Sequence, residues 1–128
     1  MASDPLWKLS ACEAGRRLNQ GEIKPSEILE AVTARVEVVN PQVNALPTLC
    51  LDRARRAARL LDGLPEGWRG PLHGMPVPIK DSYCVEGVRT TYGSLAYADH
   101  VPGHSDYLVK AMERRGGVVL PKSQHAGV

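Results

Sequence analysis

A short apolar run hemmed in by proline and glycine is the strongest constraint on how this chain folds. It is Val77-Pro78-Ile79, inside the segment Gly-Pro-Leu-His-Gly-Met-Pro-Val-Pro-Ile-Lys-Asp-Ser from Gly70 to Ser82. Three apolar residues with no polar alternation, bounded by turn formers, read as a buried strand. The run ends on Lys80, and lysine is almost never fully buried unless it is paired. Desolvation disfavours an ammonium ion, which is how a lysine leaving such a strand becomes a general base near neutral pH. The alternative is a strand-end lysine whose stem lies on the protein while its head reaches water.

Helical signals surround this strand. Ser10 and Glu13 have the spacing of a capping box, and Gly21 closes the helix just past Gln20. Pro25 opens a second helix, whose stripe is Ile28, Leu29, Val32, Val36 and Val39; Asn40-Pro41 is expected to stop it. Ala45 to Leu49 reads as a short strand. A third helix is expected from Leu51 to Asp62, ended by Gly63, with Ala54, Ala57, Ala58 and Leu61 as its buried side. Its arginines, Arg53, Arg55, Arg56 and Arg59, form a solvated face supported by Asp52 four residues before Arg56. Gly63 to Gly74 is loop. Ser105 is expected to cap a fourth helix holding Leu108, Val109 and Met112, ended by Gly116, and Val118 to Leu120 form a last strand. Helices interleaved with short apolar strands predict an α/β fold on a largely parallel sheet.

Composition narrows the functional classes. The chain has 128 residues, enough to bury one core. A net charge of +2 without a basic block gives no footprint for nucleic acid. Phe is absent, so the core is expected to be aliphatic. Cys12, Cys50 and Cys84 are widely spaced and odd in number, which argues against a disulfide framework and for a reducing compartment. No apolar stretch reaches membrane-spanning length and the N-terminus lacks a secretory signal, so a cytoplasmic protein with no membrane partner is expected.

Four segments together resemble the amidase signature family. Gly70 to Ser82 resembles its lysine motif, Gly-Pro-Leu-His-Gly-hydrophobic-Pro, apolar residues, then Lys-Asp. Gly21-Glu22, Ser26-Glu27, the helix from Ile28 to Val39 and Asn40 to Ala45 resemble its N-terminal lead-in. Gly87 to Ser94 resembles its Gly-x-x-Thr-Thr-x-Gly-Ser segment, and Gly117 to Ser123 its Gly-hydrophobic-Lys-Thr strand. The resemblance implies an amidase-signature fold of which residues 1–128 are the N-terminal portion, and hydrolysis of carbon–nitrogen bonds in small-molecule amides. It also implies a Ser-Ser-Lys mechanism, in which an unprotonated lysine accepts a proton through a bridging serine and so activates a second serine. Only Lys80 maps onto that triad; Asp81 is read as structural support, and Thr90, Thr91 and Ser94 as scaffold. The family's Gly/Ser-rich loop, which bears both serines and the oxyanion hole, has no counterpart before Val128.

The remaining polar residues carry weaker readings. Ser82 lies two residues from Lys80, on the same face if the strand continues, so a Lys–Ser dyad is a minor alternative. His100 and His104 are four apart, but Pro102-Gly103 prevents a helical metal pair; His73 and His125 are isolated, and nothing in the sequence lowers the pKa of Cys84. No metal and no cofactor are expected. Three functions stay open: part of an amidase, a non-catalytic relic that binds a partner, or one piece of a two-chain enzyme whose partner donates the serine loop. Family relatives also serve as the amidotransferase subunit that feeds ammonia to misacylated tRNA. If the last strand forms an unpaired sheet edge, self-association or a second chain through that edge is expected.

Overall fold

The computed structural model describes residues 4–124. Four α-helices, α1 (Ala11–Gln20), α2 (Pro25–Val43), α3 (Leu51–Asp62) and α4 (Tyr107–Arg114), surround two strands, β1 (Pro76–Lys80) and β2 (Val118–Ser123). Short 3-10 turns lie at Leu6–Lys8, Glu66–Trp68 and Leu95–Tyr97. The strands pair in parallel, with Pro76 opposite Val118 and Lys80 opposite Ser123, and the register shifts between Val77 and Ile79. A parallel pair needs a crossover, and the chain supplies it through α4. The fold is therefore α/β, as the sequence predicts.

The alternation of β2 builds a three-layer core. Val118 and Leu120 pack with Leu29 of α2 and Ala54 and Ala58 of α3. Val119 faces the other way, onto Ile79, Val85, Val88 and Val109 of α4. A third cluster, Ala14, Leu18, Ile23 and Ile28, seats α1 against the start of α2. β2 is thus buried on both faces. Beyond it, the Ala45–Leu49 stretch forms no strand but one antiparallel bridge, Thr48 to Lys122, with the Lys122 amide donating to the Thr48 carbonyl at 2.9 Å. On its other side β1 pairs with no strand among the described residues. Val118 donates to the Met75 carbonyl and Asp81 to that of Ser123, so the odd-numbered residues of β1 face β2. Pro76 and Pro78 occupy the outward positions, where neither has an N–H to offer a further strand.

Local signals fix most boundaries. Ser10 accepts from the Glu13 amide at 3.2 Å, and Gly21 ends α1 with φ 76°. Pro25 stands at the start of α2 and Gly63 just beyond α3. Two expected helix boundaries are corrected. α2 runs through Asn40-Pro41 to Val43. Pro41 sits in the last turn, where little helix remains to disrupt, and the Asn40 side chain pins the exit by donating to the Leu46 carbonyl at 2.9 Å and accepting its amide at 3.0 Å. At α4 the cap position belongs to Asp106. The Ser105 hydroxyl instead accepts from the Glu86 amide at 2.9 Å. On α3, Arg53 and Arg55 reach across to Glu113 and Glu30, at 2.5 and 2.8 Å, so its charged face is laced to neighbouring elements.

The Gly70–Gly74 turn docks β1 onto the end of α4 through backbone alone. Leu72 donates to the Arg115 carbonyl and Gly74 to that of Gly116, at 2.9 and 2.8 Å. Gly116 has φ 95°, and a Cβ there would stand 2.7 Å from the His73 Cα, so only glycine allows this approach.

Candidate active site

Parallel strands present their carboxyl ends at one edge, where open α/β sheets bind ligands. Here that edge carries Lys80 and Ser123 side by side. The Lys80 side chain is exposed, whereas the buried lysine of the pair is Lys122, which is 0% exposed. Lys122 Nζ donates to the carbonyls of Tyr83 and, at 3.3 Å, Lys80, and lies 3.5 Å from the Asp81 carboxylate. Burial pushes the Lys122 ammonium below its ordinary pKa, and the Asp81 charge opposes that shift.

Asp81 is itself 2% exposed and ties together everything behind Lys80. Its carboxylate accepts from the Thr91 amide at 3.1 Å and from the Thr91 hydroxyl. Its own amide donates to Ser123 at 3.0 Å, and its carbonyl accepts from Tyr92 at 3.2 Å. The backbone that carries Lys80 is therefore clamped from four directions. Structural support, the role read for Asp81, matches these contacts. Thr90 is buried and donates its hydroxyl to the Val88 carbonyl, while the Ser94 hydroxyl accepts from the Ala96 amide.

Ser82 does not share a strand face with Lys80. β1 ends at Lys80, and the Tyr83 amide closes a turn onto the Lys80 carbonyl at 3.0 Å. The turn breaks the alternation on which the dyad depended. His73 is 2% exposed behind the Gly70–Gly74 turn, and its Nδ1 has no hydrogen-bond partner. His100 stacks on Tyr92 with ring centroids 5.9 Å apart. His125 lies outside the described residues. The sequence missed two features. Lys122 is the buried lysine, signalled only by its place near the end of an apolar strand and in the segment that resembles the family's Gly-hydrophobic-Lys-Thr strand. Cys84, His104 and Asp106 also converge, as the one group among the described residues that could hold a metal ion.

A family model described as Amidase matches residues 27–126. Over 119 residues the chain is 37% identical to a component of the glutamyl-tRNA(Gln) amidotransferase of Moorella thermoacetica, covering 91% of this chain and 24% of that protein. It is 34% identical over 125 residues to an acylamidase of Rhodococcus erythropolis, covering 96% and 26%. The structure of a peptide amidase from Stenotrophomonas maltophilia superposes with TM-score 0.83 at 29% identity, over 93% of this chain and 25% of that one. The chain spans about a quarter of the length of these relatives. No helix among the described residues is long and apolar enough to cross a membrane.

Proposed function

The chain belongs to the amidase family, and from that premise we propose that it contributes the lysine base, Lys80, to hydrolysis of small-molecule amides by a Ser-Ser-Lys mechanism. In this reading residues 1–128 are the N-terminal portion of the domain, and both serines come from polypeptide outside them. The observation that carries the reading is the placement of Lys80. It ends β1 at the open carboxyl edge of the sheet, on backbone held by Asp81, Lys122 and Thr91. A base held on a rigid strand meets the positioning requirement of proton transfer.

The test is kinetic. In the amide-hydrolysing enzyme, Lys80→Ala is expected to lower kcat by about 10²–10⁴-fold. Because the side chain is exposed, stability should change by less than about 0.5 kcal/mol. Ser82→Ala should leave the rate unchanged. The native polypeptide in its source should have an intact mass several-fold above 13.9 kDa. Unimpaired hydrolysis in Lys80→Ala would sink the reading, and a native mass of 13.9 kDa would favour a non-catalytic, partner-binding amidase relic.

A further inference from the structure

The loop after β1 and the start of α4 are stapled to each other by backbone and side chain. Cys84 donates its amide to the Asp106 carboxylate at 2.7 Å, and Asp106 returns its amide to the Cys84 carbonyl at 3.0 Å. The Glu86 amide to the Ser105 hydroxyl, and Gly87 to the Pro102 carbonyl, extend the same seam. This seam brings three different ligand types together. The Cys84 sulfur, a His104 ring nitrogen and an Asp106 carboxylate oxygen all lie within 4.8 Å of one another.

We propose that Cys84, His104 and Asp106 bind a zinc ion, with water as its fourth ligand. Tetrahedral zinc with bonds of about 2.0–2.3 Å places its ligand atoms roughly 3.3–3.8 Å apart. His104 Nε2 already stands 3.8 Å from Asp106 Oδ1. The His104 side chain is 66% exposed, so it can turn inward to close the site without disturbing the core. The other two ligands are held: Asp106 by the Cys84 amide, and the sulfur by the Tyr92 hydroxyl 2.9 Å away. A phenol donating to a thiolate is the kind of outer contact that orients a metal ligand.

The donor set decides the ion. Thiolate and imidazole favour zinc over calcium or magnesium, which take oxygen ligands. One thiolate and one carboxylate neutralise a divalent charge, and loss of the thiol proton to solvent accompanies binding. A nucleophilic role for the same thiol is disfavoured because Cys84 is 5% exposed, leaving no approach for an acyl group.

Cobalt(II), a spectroscopic stand-in for zinc, tests the site in reduced protein. One equivalent should produce a thiolate-to-cobalt charge-transfer band, and zinc should bleach it stoichiometrically. Cys84→Ser should abolish the band, while Cys12→Ser and Cys50→Ser retain it. Tyr92→Phe should weaken affinity about 10–100-fold, as loss of outer partners does. His104→Ala, which removes only an exposed side chain, should weaken it by at least about tenfold. Absence of the band, its survival in Cys84→Ser, or unchanged affinity in His104→Ala would each overturn the proposal.

Discussion

Lys122 loses its water in the core and regains contacts from two carbonyls and the Asp81 carboxylate. Removing one member of a buried ion pair leaves an uncompensated charge, which costs about 3–5 kcal/mol. Asp81→Asn should lose that much in chemical denaturation. Lys122→Met should lose less, because Asp81 keeps its bonds from Thr91. His73 gives a second residue-scale test. Burial, aided by the charge of Arg69, holds its imidazole below the ordinary value of 6.5. The unfolded chain therefore binds the proton more readily than the folded one. The His73 contribution to stability is complete above pH 6.5 and is lost as pH falls below it through the depressed folded value. His73→Gln should flatten the fall in melting temperature over that acid window; an unchanged slope would contradict this. At this scale legibility was uneven. Lys80 ends one apolar strand and Lys122 stands one residue before the end of the other, and which of them is buried depends on where Asp81 and Tyr83 lie. No local pattern records that. Cys84 is likewise 20 residues from His104, with no ligand spacing to reveal their meeting.

At the scale of elements, the boundaries that sequence fixes best are those set by chemistry within one turn. Ser10 with Glu13, Gly21, Pro25 and Gly63 act where the sequence puts them. Two signals were overridden by longer-range bonds: Ser105 serves Glu86, and Asn40 secures the Leu46 backbone beyond a proline that the helix tolerates. Asn40→Ala should cost about 1–3 kcal/mol by leaving the Leu46 amide and carbonyl without their partner. It should also speed hydrogen exchange at the Lys122 amide, which is held by the Thr48 carbonyl in the stretch that Asn40 anchors. Unchanged exchange there would show that α2 does not control this stretch. Gly116→Ala should destabilise by more than the roughly 1–3 kcal/mol typical of a strained backbone, because its Cβ would also strike the His73 backbone.

The whole molecule presents an apolar groove of about 330 Å³ between its N-terminal segment, α2 and β1. Trp7, Val32, Val36, Leu46, Met75 and Pro78 are among the residues that line it. Apolar surface of this kind favours association. The 128-residue chain is expected to bind an apolar dye and to self-associate with concentration in sedimentation runs. A sharp monomer without dye binding would refute this. Strand-to-strand growth is not the expected route, since Pro76 and Pro78 blunt the β1 edge; Pro78→Val should therefore raise aggregation.

Opposite Lys80 in register stands Ser123, where β2 ends. Bringing two points so far apart in an unfolded chain together costs about 3 kcal/mol of loop-closure entropy, and the fold has already met that cost through α4. A serine-bearing segment joined covalently after Ser123 would begin its search one strand spacing, about 4.8 Å, from Lys80, the proposed base. The same segment on a separate polypeptide would have to match that local concentration by binding affinity alone. Cutting the chain just beyond Ser123 should therefore make hydrolysis depend on the concentration of the released piece.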